Sequence, residues 1–274
     1  MHFGSVARSW LATGGFILLA VGNQGAQAET YGPNGSGNTI TNDKIVTEST
    51  DLTNTNVTER IDSTLGGAGV VTANRPMLDL GGGKAAGSEP RNFGIWAKVA
   101  NTWVRSSQPG AEFNGPVTAL TAGLDYKWEN SFLLGIAGTY ERVSISTLFN
   151  NGTQNSNGGV VTVYAGYRLS ANFSIDGEVG HGWIGYSGEH KGVTNSFSGD
   201  RWFGAANFKA STAIDAWRLS GALGYFHVAE TQTAFTESNG NAVGSSMPYL
   251  GQIRLKGQAG YRFETEFGAL TPFA

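Results

Sequence analysis

The sequence predicts an all-β chain folded as an antiparallel up-and-down transmembrane β-barrel. Three observations predict it. From Phe93 onward, large apolar residues alternate with small or polar ones at period two. Tight connections alternate with long polar ones, the asymmetry expected between the two sides of an outer membrane. Aromatic residues gather beside the tight connections. The composition agrees, since 14% of the residues are charged against roughly 25% in an average soluble domain. A net charge of -3 excludes a nucleic-acid binder. Cysteine is absent, which excludes disulfides and thiolate metal sites.

The chain opens on a targeting signal, expected over residues 1–28. Arg8 precedes an apolar run from Trp10 to Val21, and the motif Ala26-Gln27-Ala28 places cleavage before Glu29. The run is shorter than the ~20 residues a spanning helix needs. Residues 29–91 are polar and rich in Thr and Asn. Gly81-Gly82-Gly83-Lys84 has Leu78 where a phosphate loop needs glycine and Ala85 where it needs Ser or Thr, so this stretch reads as a linker. Asp43 to Leu65 reads as a weak polar helix, opposed by its β-branched residues.

Eight strands and the start of a ninth follow. The first sets Phe93, Ile95, Ala97 and Val99 against Gly94, Trp96, Lys98 and Ala100. The second sets Leu120, Leu124, Tyr126 and Trp128 against Thr121, Asp125 and Lys127. The third sets Phe132, Leu134, Ile136 and Tyr140 against Gly135, Ala137, Thr139 and Glu141. The fourth sets Val161, Val163, Tyr167 and Leu169 against Thr162, Tyr164 and Arg168. The fifth sets Phe173, Ile175, Val179 and Trp183 against Ser174, Asp176 and Glu178. The sixth, Trp202 to Thr212, is the least regular. The seventh carries Trp217, Leu219, Leu223 and Tyr225 on one face, and the eighth sets Ile253, Leu255, Tyr261 and Phe263 against Arg254, Lys256 and Arg262.

Tight turns are expected at 129–131, 170–172 and 215–216, and long polar loops at about 105–115, 147–158, 187–201 and 229–246. Tyr126, Trp128, Phe132, Tyr167, Phe173, Trp217, Tyr261 and Phe263 flank the tight turns and are expected to form an interfacial aromatic girdle. Lys98, Asp125, Lys127, Glu141, Arg168, Asp176, Glu178, Arg254, Lys256 and Arg262 fall on the opposite faces. A soluble barrel or sandwich would bury those charges, at several kcal/mol each unless paired. A hydrated lumen holds them at little cost, so they are expected to line one.

The strings "FGIWAKVANTWV", "GLDYKWENSFLLGIAGTYERVSIS", "VYAGYRLSANFSIDGEVGHGWIGY" and "WRLSGALGYFHV" resemble the barrel domain of autotransporters, the type V secretion translocators. The features shared are a Trp96-x-Lys98 opening strand, a glycine-led hairpin and strands ending in Gly-x-Tyr. "GQAGYRFETEFGALTPFA" resembles later strands of that barrel. The resemblance covers about 93–274. It implies a twelve-strand outer-membrane barrel that exports or anchors an N-terminal passenger. Residues 29–91 would then be a short passenger remnant or linker, with a lumen-threading helix in or near Asp43–Leu65. The implied partners are outer-membrane lipid, the barrel-assembly machinery and the chain's own N-terminal segment in the lumen, and a monomer is expected. Because Ala274 follows the start of a strand, the sequence is expected to be a fragment or the product of a truncated gene.

Catalytic groups are not expected. The histidines (His2, His181, His190 and His227) lack metal-ligand spacing, and Ser187 and Ser198 lack the nucleophile-elbow frame. No cofactor is implied. The expected function is translocation or anchoring of the N-terminal segment at the cell surface. The alternative is a passive porin-like channel or a surface-loop adhesin.

Overall fold

In the computed structural model, residues 16–18, 39–65, 77–79, 92–129, 131–265 and 268–270 are described. Eight long antiparallel strands carry the architecture: β1 (Phe93–Ser106), β2 (Phe113–Trp128), β3 (Phe132–Thr147), β4 (Gly152–Arg168), β5 (Phe173–His190), β6 (Val193–Ile214), β7 (Trp217–Gln232) and β8 (Tyr249–Tyr261). Each pairs with its neighbours in sequence, giving the up-and-down order expected. A 27-residue helix, α1 (Thr39–Leu65), precedes them.

Short segments cover both sheet edges. Met77–Asp79 pairs with β1, and Phe16–Leu18 pairs with β8. Among the described residues the two edges do not pair with each other. Phe16–Leu18 falls inside the stretch read as a targeting signal. The cleavage residues Ala26, Ala28 and Glu29 lie outside the described residues, as does the linker from Leu80 to Arg91.

Period two is explicit in the burial. Along β3, Leu133, Ala137, Val143 and Ile145 are buried, while Leu134, Ile136 and Tyr140 are exposed. The same alternation runs through β1 to β5, with many large apolar side chains facing outward. The ten-residue rise from Phe173 to Trp183 covers about 33 Å of strand, and a tilt of about 40° leaves about 25 Å of height. That matches the apolar band of an outer-membrane barrel. Above it the outward residues turn polar and pair across strands: Asn101 Nδ2 donates to Thr118 Oγ1 at 2.6 Å, and Ser144 Oγ donates to Asn155 Oδ1 at 2.8 Å.

Two expectations about connections are corrected. The loops expected at 147–158 and 187–201 are mostly strand, because β4 begins at Gly152, β5 runs to His190 and β6 begins at Val193. Beyond the lipid band both strand faces are polar, so alternation disappears from the sequence although the backbone ladder continues. Lys191 (φ 49°) and Gly192 (φ 79°) close the β5–β6 hairpin in the left-handed pair of conformations that suits strand twist. β6, read as irregular, is the longest strand at 22 residues. The asymmetry between the two ends therefore lies in strand extension, and among the described connections only 233–248 is a long loop.

The core lies between α1 and the inner sheet face. Ile45, Val46 and Leu52 pack in a cluster with Phe113, Ile184 and Phe226, while Val57, Ile61 and Leu65 join Trp96, Leu133 and Tyr164. The inner face is therefore partly apolar, where a mostly small or polar lining was expected.

Candidate functional site

α1 is the centre of the site. At 1.5 Å per residue it is about 40 Å long and runs the height of the sheet. Its sequence is unlike that of a surface helix. Thr41, Asn42, Ser49, Thr50, Thr53, Asn54, Asn56 and Arg60 are buried alongside the aliphatic residues. A helix that is polar nearly all round holds its shape only where its surroundings answer it. Here Thr47, Thr50 and Thr64 donate to the carbonyls of Asp43, Val46 and Arg60 one turn back. This satisfies the hydroxyls locally. Several of the remaining polar groups reach the sheet.

Near its C-terminal end, Arg60 grips Asp125 of β2 with two bonds, Nε to Oδ2 at 2.7 Å and Nη2 to Oδ1 at 2.9 Å. Its third nitrogen, Nη1, donates to Asp79 at 2.9 Å. Tyr164 of β4 donates to the same Asp125 at 3.0 Å and accepts from Trp96 Nε1 at 2.8 Å. The sequence makes room for this with glycine. A Cβ at Gly135 would meet the Tyr164 ring, and one at Gly94 would meet the Arg60–Asp125 pair. Lys127 Nζ donates to the Thr64 carbonyl at 2.8 Å, placing a cation at the negative end of the helix. Lys98 pairs with Glu59, and Lys209 is shared between Asp62 (2.5 Å) and Asp176 (2.7 Å).

The N-terminal half is held by Arg201 of β6, a fully buried side chain. Its Nε donates to Glu230 at 2.7 Å, and its Nη1 donates to Glu141, Ser49 and Thr50 at 2.8, 2.8 and 3.1 Å. Tyr186 donates to Glu230 at 2.7 Å. Between the two ends, Thr53 donates to Glu141, Asn54 to Glu178 and Asn56 to Thr121. Arg254 reaches Asp51 at 2.6 Å while lying 4.3 Å over the Phe226 ring. Every strand from β1 to β8 touches α1.

Of the charged residues read from the sequence, Lys98, Asp125, Lys127, Glu141, Asp176, Glu178 and Arg254 all contact α1 or a group bound to it. Lys256 faces a small polar gap between α1 and β6–β8. Arg168 is half-buried at the end of β4. Arg262 lies past the end of β8 and is exposed. Arg201, Lys209, Tyr186 and Arg60 were not singled out from the sequence, and Tyr164 was placed on the inward face of its strand without a role. Arg201 was hidden because its segment reads as a loop.

The aromatic residues expected to form a girdle all lie at the end where α1 finishes. Tyr126, Trp128, Phe132 and Tyr167 form a chain of ring contacts at 4.4, 5.4 and 6.5 Å. Trp217, Tyr261 and Phe263 form another at 5.1 and 4.8 Å, and Phe173 stacks on Phe208 at 5.8 Å.

The arrangement can bind and hold a chain. Among the described residues no group of His, Asp and Glu could hold a metal ion. No described helix is long and apolar enough to cross a membrane, which leaves strand-built crossing untouched. A family model described as the autotransporter beta-domain matches residues 95–274. Among solved structures the chain is similar to the ferric yersiniabactin uptake receptor FyuA from Yersinia pestis. The identity is 13%, the match covers 70% of this chain and 39% of that one, and the TM-score is 0.32, too low to bear an argument. No curated protein matches the chain.

Proposed function

Because the chain belongs to the autotransporter beta-domain family, an outer-membrane translocator domain of Gram-negative bacteria, we propose that its sheet carries the N-terminal segment to the cell surface and then holds it there by α1. The observation that carries this reading is the burial of a polar helix whose two halves are tied to the sheet by Arg60–Asp125 and by Arg201. The outward face meets lipid, and the inward face meets the helix. The N-terminal half of α1 passes Arg201 and Glu230, on the side of the long connection 233–248, and its C-terminal end lies at the tight turns. In this reading the tight turns face the periplasm. The segment preceding α1 therefore leaves at the outer surface. Lys98, Asp125, Glu141, Asp176, Glu178 and Arg254 act as the sockets for the helix, and the aromatic rings at the turn end form the inner girdle. The process makes and breaks no covalent bond.

A tag inserted after Thr30 tests the reading. Protease added to intact cells is expected to remove it. A tag that stays protected until the outer membrane is opened rules out export. The gap beside Lys256 favours a second reading, a residual passage for small ions. Deleting 39–65 is expected to raise conductance in planar bilayers, and an unchanged conductance would show that α1 is no plug.

A further inference from the structure

The outward face carries a cleft at the upper limit of its apolar band. Tyr140, Gly159, Trp183 and Asp200 lie in one row across β3, β4, β5 and β6. Tyr140 and Trp183 are 54% and 58% exposed, and the Trp183 ring is braced edge-on by His181 at 4.4 Å. They rise from strands about 10 Å apart, two strand spacings. The floor between them is Gly159, where an added Cβ would meet nothing, and Gly138 diagonally below is equally open. Two exposed aromatic side chains therefore flank an open glycine floor.

Above this floor the chemistry changes. Arg142 follows Tyr140 by two residues on the same face and pairs in register with Asn157. Both are exposed. Arg142 makes no ion pair among the described residues, although it stands at the margin of a lipid-facing surface. An arginine there is matched by an anion at headgroup depth, since a guanidinium binds phosphate by two bonds. An aromatic wall suits the apolar face of a sugar ring, and the band below suits acyl chains.

The geometry points to a site for the phosphorylated sugar headgroup of an outer-leaflet glycolipid, with Arg142 on the phosphate, Asn157 on a hydroxyl, and the ring between Tyr140 and Trp183. The assignment rests on the reading that the loop end of the barrel faces outward. It differs from an ordinary interfacial girdle, which would accept any lipid.

The test uses the full chain purified in detergent, its fold checked by heat-modifiable gel mobility. Retention of diphosphoryl lipid A, its dephosphorylated form and phosphatidylglycerol is compared by native mass spectrometry. Diphosphoryl lipid A is expected to bind best. Arg142→Gln should weaken it about tenfold, the loss of one charge-assisted contact, while leaving the dephosphorylated form unchanged. Gly159→Val, which fills the floor, should weaken both forms. Equal retention of all three lipids, or parent-like retention by folded Arg142→Gln, overturns the site. Dimerisation without lipid retention would give the cleft to a second copy and also overturn it. Micelles have no sides, so this result is independent of whether the tag after Thr30 reaches the surface.

Discussion

Single side chains decide whether the helix stays. Arg60 and Asp125 are both buried, so removing Arg60 leaves the Asp125 carboxylate without its cation, at about 3–5 kcal/mol. Arg60→Ala is expected to free α1 at lower urea, seen as earlier protease cleavage within 39–65. Arg60→Met together with Asp125→Leu should recover much of that loss, because a buried pair can be replaced by apolar residues of similar volume. At Gly135 the argument is steric. Gly135→Ala drives a methyl into the Tyr164 ring, and folding yield should fall. Adding Tyr164→Ala should make the double variant milder than the sum of the two, measured as the heat-modifiable folded fraction. Additive losses would show that the two residues do not touch. Asp125 and Glu141 were legible in the sequence because each is a lone acid on the small-residue face of a well-alternating strand. Tyr164 was not, because a tyrosine on that face looks like any aromatic until its hydroxyl is seen on Asp125.

The strands and the helix were legible to different degrees, and the reason is the solvent each meets. β1 to β5 alternate clearly because lipid requires apolar residues on one face while the helix-filled interior accepts polar ones. The contrast fades in β6, where Trp202 and Phe203 are adjacent, and Phe203 points inward over Gly180. It weakens at 152–158 and 193–201, where most residues on both faces are polar although the inward ones are buried. α1 was underestimated because its Thr and Asn residues oppose a helix in water. In the hollow, those residues bond to Glu141, Glu178 and Thr121 instead of to water. A peptide of residues 39–65 is therefore expected to be largely unstructured alone. Circular dichroism would check this, and strong helicity in buffer would mean that the sheet is not what orders it.

At the scale of the molecule, the chain is a sheet whose outside is apolar and whose inside holds a polar helix. A charge on the outward face should then act according to depth. Val179→Arg, near the middle of the band, is expected to destabilise by about 2–4 kcal/mol, and Thr118→Arg, above it, by about 0–1. Equal effects in urea titrations would argue against lipid contact. The absence of cysteine makes the orientation directly testable. Single cysteines at Ser36, before α1, and at Ser131, in the first tight turn, can be probed with a membrane-impermeant maleimide on intact cells. Labelling of Ser36→Cys in intact cells, with Ser131→Cys labelled only after the outer membrane is opened, is the predicted result. Protection of Ser36→Cys, or exposure of Ser131→Cys on intact cells, would contradict the export of the N-terminal segment through this barrel.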